Sequence, residues 1–115
     1  MARGIRIEIA DRQKGREINR GLLRKVLSAA MREEGKSGVL SLAVVGLQEI
    51  VGLNMRYLGR EGETDVLSFP LEDENSEVIG EVVVCADVAA EEADGRSVEF
   101  DAELALYALH GLLHL

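Results

Sequence analysis

A chain of 115 residues with 47% hydrophobic content suits one domain around one core, because it can bury roughly two thirds of its unfolded surface. It has no run of about 18 apolar residues to span a bilayer, and its charged start, "MARGIRIEIADR", lacks the uninterrupted apolar stretch of a signal peptide. A cytoplasmic protein with no membrane partner is expected. The net charge of −8 argues against bulk attraction to nucleic acid, which needs Lys and Arg to neutralise phosphates, and no DNA partner is expected.

That average hides an asymmetry. Residues 1–36 hold ten Lys or Arg against five acids, and the remainder holds three against sixteen. A basic N-terminal third can meet an anionic polymer while the acidic remainder keeps the domain soluble; an ordinary solvated helix face explains the same residues equally well.

The strand and helix signals follow in chain order. "IRIEIA" alternates Ile5, Ile7 and Ile9 with Arg6 and Glu8, the period-2 pattern of a half-buried strand. Asn19 can cap a helix with Leu22, Leu23, Val26, Leu27 and Ala30 at the 3.6-residue period, Gly35 closing it and Arg20, Arg24 and Lys25 outside. "VLSLAVVG" is apolar enough to lie inside a sheet. Leu47, Ile50, Val51, Asn54 and Leu58 make a helical stripe with one polar interruption.

"GREGE" reads as a loop. "TDVLSFP" follows as a short strand, with Pro70 at its end or edge because it lacks a ladder N–H. "EDENSE" is an acidic turn or exposed loop, and "VIGEVVVCADV" is the best candidate for a central strand. Within it Cys85, the only cysteine, reads as a small buried hydrophobe. "AAEEADGRS" is a short helix ending at Gly95. From a Ser97 cap, a final apolar helix carries Phe100, Leu104, Ala108, Leu109, Leu112 and Leu113. The order predicts a single small α+β domain, residues 1–115: a mixed sheet of about four strands packed with helices, the last helix at the C-terminus.

That last helix holds the chain's two histidines, in "HGLLHL". On an α-helix His110 and His114 stand about 40° apart around the axis and one turn along it, which puts their Cβ atoms roughly 5 to 6 Å apart. Two imidazoles so placed can reach one zinc ion. A catalytic zinc takes three protein ligands, so the pair is one short. Glu103, about 10 Å away along the same face, cannot complete that shell. Gly111 stands where H-E-x-x-H would need its general-base Glu, which makes a peptide- or small-molecule-directed zinc hydrolase improbable.

Taken in order, "TDVLSFP", "GEVVVCADV" and "ELALYALHGLLHL" resemble the YbeY family of bacterial rRNA-maturation endoribonucleases. The likeness runs through the whole chain and is densest from Asn54 onward. It implies a cytoplasmic α+β domain holding one zinc-type ion by three histidines. It further implies activity on single-stranded RNA, rRNA processing at the 16S 3′ end, and the small ribosomal subunit as partner. By resemblance His110 and His114 match the first two metal ligands. In the family a third His follows six positions after the second, whereas this sequence stops at Leu115; a truncated chain with weak metal occupancy is expected. The family's active-site Arg falls at Leu58, so that role does not transfer. Arg56 and Arg60 are the neighbouring candidates for RNA phosphates; surface arginines beside a polar loop are the alternative. A non-catalytic ribosome-associated assembly factor is the competing functional reading.

Overall fold

The computed structural model describes residues 4–71 and 77–115. Its elements are β1 (Ile5–Asp11), α1 (Arg20–Glu33), β2 (Gly38–Val45), α2 (Leu47–Leu58), β3 (Val66–Pro70), β4 (Val78–Cys85), α3 (Ala86–Gly95) and α4 (Phe100–Leu113). The strands form one mixed sheet in the order β1-β2-β4-β3. β1, β2 and β4 run parallel, and β3 lies antiparallel on the outer side of β4. This is the small α+β architecture expected, with β4 interior and Pro70 at the end of an edge strand. The acidic segment "EDENSE" lies outside the described residues except for Glu77, which is exposed.

The apolar runs of β2 and β4 follow from burial on both faces of the sheet. Leu40, Leu42, Val44, Val82 and Val84 join one core with α1, α4 and the start of α3. Ala43, Val45, Val83 and Cys85 turn the other way and pack with Ile50 of α2 and Leu67 of β3. Cys85 is fully buried and free, and burial pushes its thiol pKa up.

Local signals set the ends of α1. The Asn19 side chain accepts a hydrogen bond from the Leu22 amide at 3.0 Å, satisfying one otherwise unpaired N–H of the first turn. Gly35 closes the helix at φ +67°, with Gly35 N–H donating to Arg32 O and Lys36 N–H to Met31 O, a Schellman closure.

Ser97, in contrast, does not cap α4. It sits at φ +55° and ends α3, where Ser97 N–H donates to Asp94 O and Val98 N–H to Ala93 O. That is the same Schellman pattern with serine in the left-handed position, and α4 begins after Glu99 without a side-chain cap. Three leucines also depart from expectation. Leu47 and Leu58, at the ends of the α2 stripe, and Leu113 of α4 are 39%, 49% and 51% exposed. Each lies at a helix end, beyond the turns that meet the sheet.

The cap for α2 comes from a distant residue. Gly46 precedes the helix and has no side chain to offer. Asp87, in the first turn of α3, accepts the Leu47 amide on Oδ2 at 2.7 Å and the Arg16 guanidinium on Oδ1 at 2.7 Å. These bonds, the Leu47 amide foremost, hold the Asp87 carboxyl below the usual range. A lowered carboxylate pKa stabilises the fold fully above the unfolded value near 3.9, and the contribution is lost as pH falls through the folded value. Asp87→Ala should therefore cost about 1 kcal/mol near neutrality, the scale of a lost cap on a partly exposed group. In urea melts that gap from wild type should narrow steadily below about pH 4; a gap independent of pH would count against the charged cap.

Candidate functional site on the last helix

Helix α4 crosses β4 and β3 at unusually close range. A Cβ placed on Gly111 would collide with Cγ1 of Val82 and lie 2.9 Å from Cγ2 of Val66. Only glycine permits this approach. The Ser68 hydroxyl of β3 then donates to the Gly111 carbonyl at 2.8 Å, so "TDVLSFP" and "HGLLHL" are physically joined. One residue earlier, His110 is placed by the helix that Gly111 seats.

The two histidines share the last turn of α4: His114 N–H donates to His110 O at 3.2 Å. Both are exposed. Around them, Leu112 is fully buried and Leu115 packs on the core, so the turn is anchored from its inner side. Among the described residues no group of three His, Cys, Asp or Glu side chains stands close enough to hold a metal ion. The pair suits a zinc-type ion in donor type and spacing. In number it falls short, because two imidazoles do not complete a catalytic shell.

His110 opens into a groove of about 520 Å³ between α3, α4 and the loop before β3. Thr64 and Asp65 of that loop form one wall. The loop is fixed at both ends: Asn54, the polar residue in the α2 stripe, is 4% exposed and its Nδ2 donates to Gly62 O at 3.2 Å, while Asp65 O accepts from Cys85 N–H at 3.0 Å.

The opposite wall contains a buried charge cluster. The Glu103 carboxylate, 2% exposed, accepts from Arg96 Nη1 at 2.9 and 3.2 Å and from the Tyr107 hydroxyl at 3.3 Å. Burial first, and then the Glu103 charge, push the Tyr107 pKa up, so this phenol stays protonated as the donor. Glu103 is thus held within the fold by two partners.

Arg56 and Arg60 stand elsewhere. Both are exposed near the end of α2 and neither lines the groove. The Arg56 guanidinium lies 5.7 Å from the Tyr57 ring centre, and Leu58 is also outside the groove. Ser68 and Arg96 carry no local sequence signal for a site. Ser68 lies inside "TDVLSFP", and Arg96 stands out only through the scarcity of Lys and Arg after residue 36.

The fold and site together define a small mixed-sheet α+β domain with an exposed two-histidine turn beside a groove. The Endoribonuclease YbeY family profile matches residues 6–115. An Endoribonuclease YbeY from Carboxydothermus hydrogenoformans is 41% identical over 95 residues, covering 82% of this chain and 66% of that protein. One from Staphylococcus saprophyticus is 38% identical over 101 residues, covering 79% and 66%. A solution structure from Thermotoga maritima superposes with a TM-score of 0.63 at 31% identity, covering 93% of this chain and 71% of that one. The chain belongs to the YbeY endoribonuclease family. It spans slightly less than two thirds of the length of these two curated relatives.

Gly111→Ala tests the seating of α4. Alanine gains about 1 kcal/mol of helix propensity, but its methyl group must displace Val82, which is fully buried on an interior strand. Overpacking of this kind costs about 1–3 kcal/mol. A net loss of up to about 2 kcal/mol in urea denaturation is expected, and a stabilised variant would mean that α4 is not held this close to the sheet.

Proposed function

We propose that this chain acts as a metal-dependent, single-strand-specific endoribonuclease in rRNA processing, at the 16S 3′ end and in ribosome maturation. The observation that carries the reading is the exposed His110 and His114 turn beside the groove in a member of this family. RNA is the substrate, rRNA and the small ribosomal subunit are the partners, and the cytoplasm is the compartment. Among the described residues no helix is long and apolar enough to cross a membrane.

In this reading His110 and His114 would hold two positions of a zinc ion, with a further donor needed to complete the shell. When bound, such an ion supplies a water of lowered pKa and polarises a phosphoryl oxygen. The chain's own residues do the rest. Gly111 and Ser68 fix the turn that presents both imidazoles, and the Asn54-held loop shapes the groove that the strand enters. Arg56 and Arg60 lie outside that groove, so as RNA contacts they would touch a part of the strand away from the histidines.

The competing reading is a ribosome-associated assembly factor without catalysis. Two measurements separate the readings. Zinc retained after dialysis against metal-free buffer should fall below about one ion per chain and reach background in His110→Ala; full retention by the variant would remove His110 from the site. Incubation of the zinc-supplemented chain with a single-stranded oligonucleotide of the 16S 3′ end should give endonucleolytic products. Binding to small subunits without any cleavage would establish the second reading.

A further inference from the structure

The groove beside His110 is a poor place for RNA on charge alone, because Glu63, Asp65 and Glu92 contribute three carboxylates to its walls besides Glu103. After residue 36 the chain has only three basic residues, Arg56, Arg60 and Arg96, and only Arg96 lines this groove.

The way Arg96 is held makes it suited to a second partner. Both of its bonds to Glu103 leave from Nη1. A guanidinium carries five N–H donors in a rigid fork, so Nε and Nη2 retain three, and these have no partner among the described residues. The Glu103 carboxylate is buried while the Arg96 side chain is 56% exposed, so the inner partner fixes the cation and its outer edge faces solvent. One turn earlier on α3, the Glu92 side chain makes no ion pair with it.

We infer that Arg96 is a phosphate-binding positioning residue, holding one backbone phosphate of a single-stranded RNA in the groove while Glu103 fixes its guanidinium. The inference rests on the endoribonuclease reading above. Glu103 lies seven residues before His110 on α4, about 10 Å along the axis, so Arg96 grips a phosphate neighbouring the one at the histidine turn. The surrounding carboxylates sharpen the register: they repel phosphate from the loop wall and from Glu92, leaving the Arg96 edge as the favourable position.

The test is equilibrium binding of a short fluorescein-labelled oligouridylate, followed by anisotropy in chelator so that no strand is cut. Arg96→Gln should weaken binding roughly tenfold, as expected for one lost charge-assisted contact. The slope of log affinity against log salt should also fall by about 0.7, the single-strand value for one phosphate. Because Arg96→Gln leaves the Glu103 carboxylate buried without its cation, its melting temperature should fall. The double variant Arg96→Gln/Glu103→Gln removes that unpaired charge; it should recover the melting temperature and still bind weakly. Recovery of binding together with stability would make Arg96 only a packing partner of Glu103 and overturn the assignment, as would unchanged binding in Arg96→Gln. If the wild-type chain does not bind the oligouridylate at all, the RNA reading itself fails and this inference fails with it.

Discussion

The close approach of α4 to the sheet at Gly111 is the constraint on which the rest of the site depends. A helix normally keeps its neighbours at side-chain distance, but here a position without a Cβ lets Val82 and Val66 reach the helix directly. Ser68 then ties the helix carbonyl to the edge strand. The consequence is positional: His110 precedes this contact directly and His114 follows it by three residues at the C-cap, so the sheet contact anchors the turn that carries both. Catalytic and binding groups carried on rigid elements hold their geometry more closely than groups on loops.

Around that fixed turn the electrostatics are unbalanced. Three of the groove's four carboxylates lack a cation in its walls, and the fourth is buried against the groove's one arginine. A buried carboxylate with a single ionic partner is costly to break, because the remaining charge stays in a low-dielectric setting. Glu103 and Arg96 are therefore best understood as a unit, with Tyr107 supplying a further donor. The basic surface suggested by the first 36 residues lies mainly on α1 and the segment before it, where several cations serve the fold itself: Arg16 binds Asp87, Arg12 binds Glu49, and Arg20 Nη1 donates to Ile9 O.

Much of this was legible in the sequence because it is written in local periodicity. Ile5, Ile7 and Ile9, the apolar runs of β2 and β4, Asn19 and Gly35 each signal through neighbours within a few residues, and the sheet and α1 follow from them. The histidine turn was legible for the same reason, as a spacing of four. What escaped the reading depends on residues far apart in the chain or on competition between two local signals. Ser97 is a good helix cap by composition, yet the end of α3 claims it first. Leu47, Leu58 and Leu113 fit the helical period and still face outward, because periodicity gives the direction of a side chain but not where the partner surface stops. The pairings Ser68 with Gly111 and Arg96 with Glu103 needed the folded helix beside the sheet and the loop.

Asp87 carries a consequence for how the two faces of the sheet are coupled. It sits on α3, just past β4, and accepts from the first turn of α2, on the other side of the sheet, and from Arg16 of the segment before α1. Because Gly46 offers no side-chain cap of its own, the first turn of α2 takes its acceptor from the residue that follows β4 and Ala86 in the chain. Strand order and helix initiation are thereby linked through one carboxylate. Its partners lie 40 and 71 residues away in sequence, so one side chain ties α2 and the segment before α1 to the end of β4.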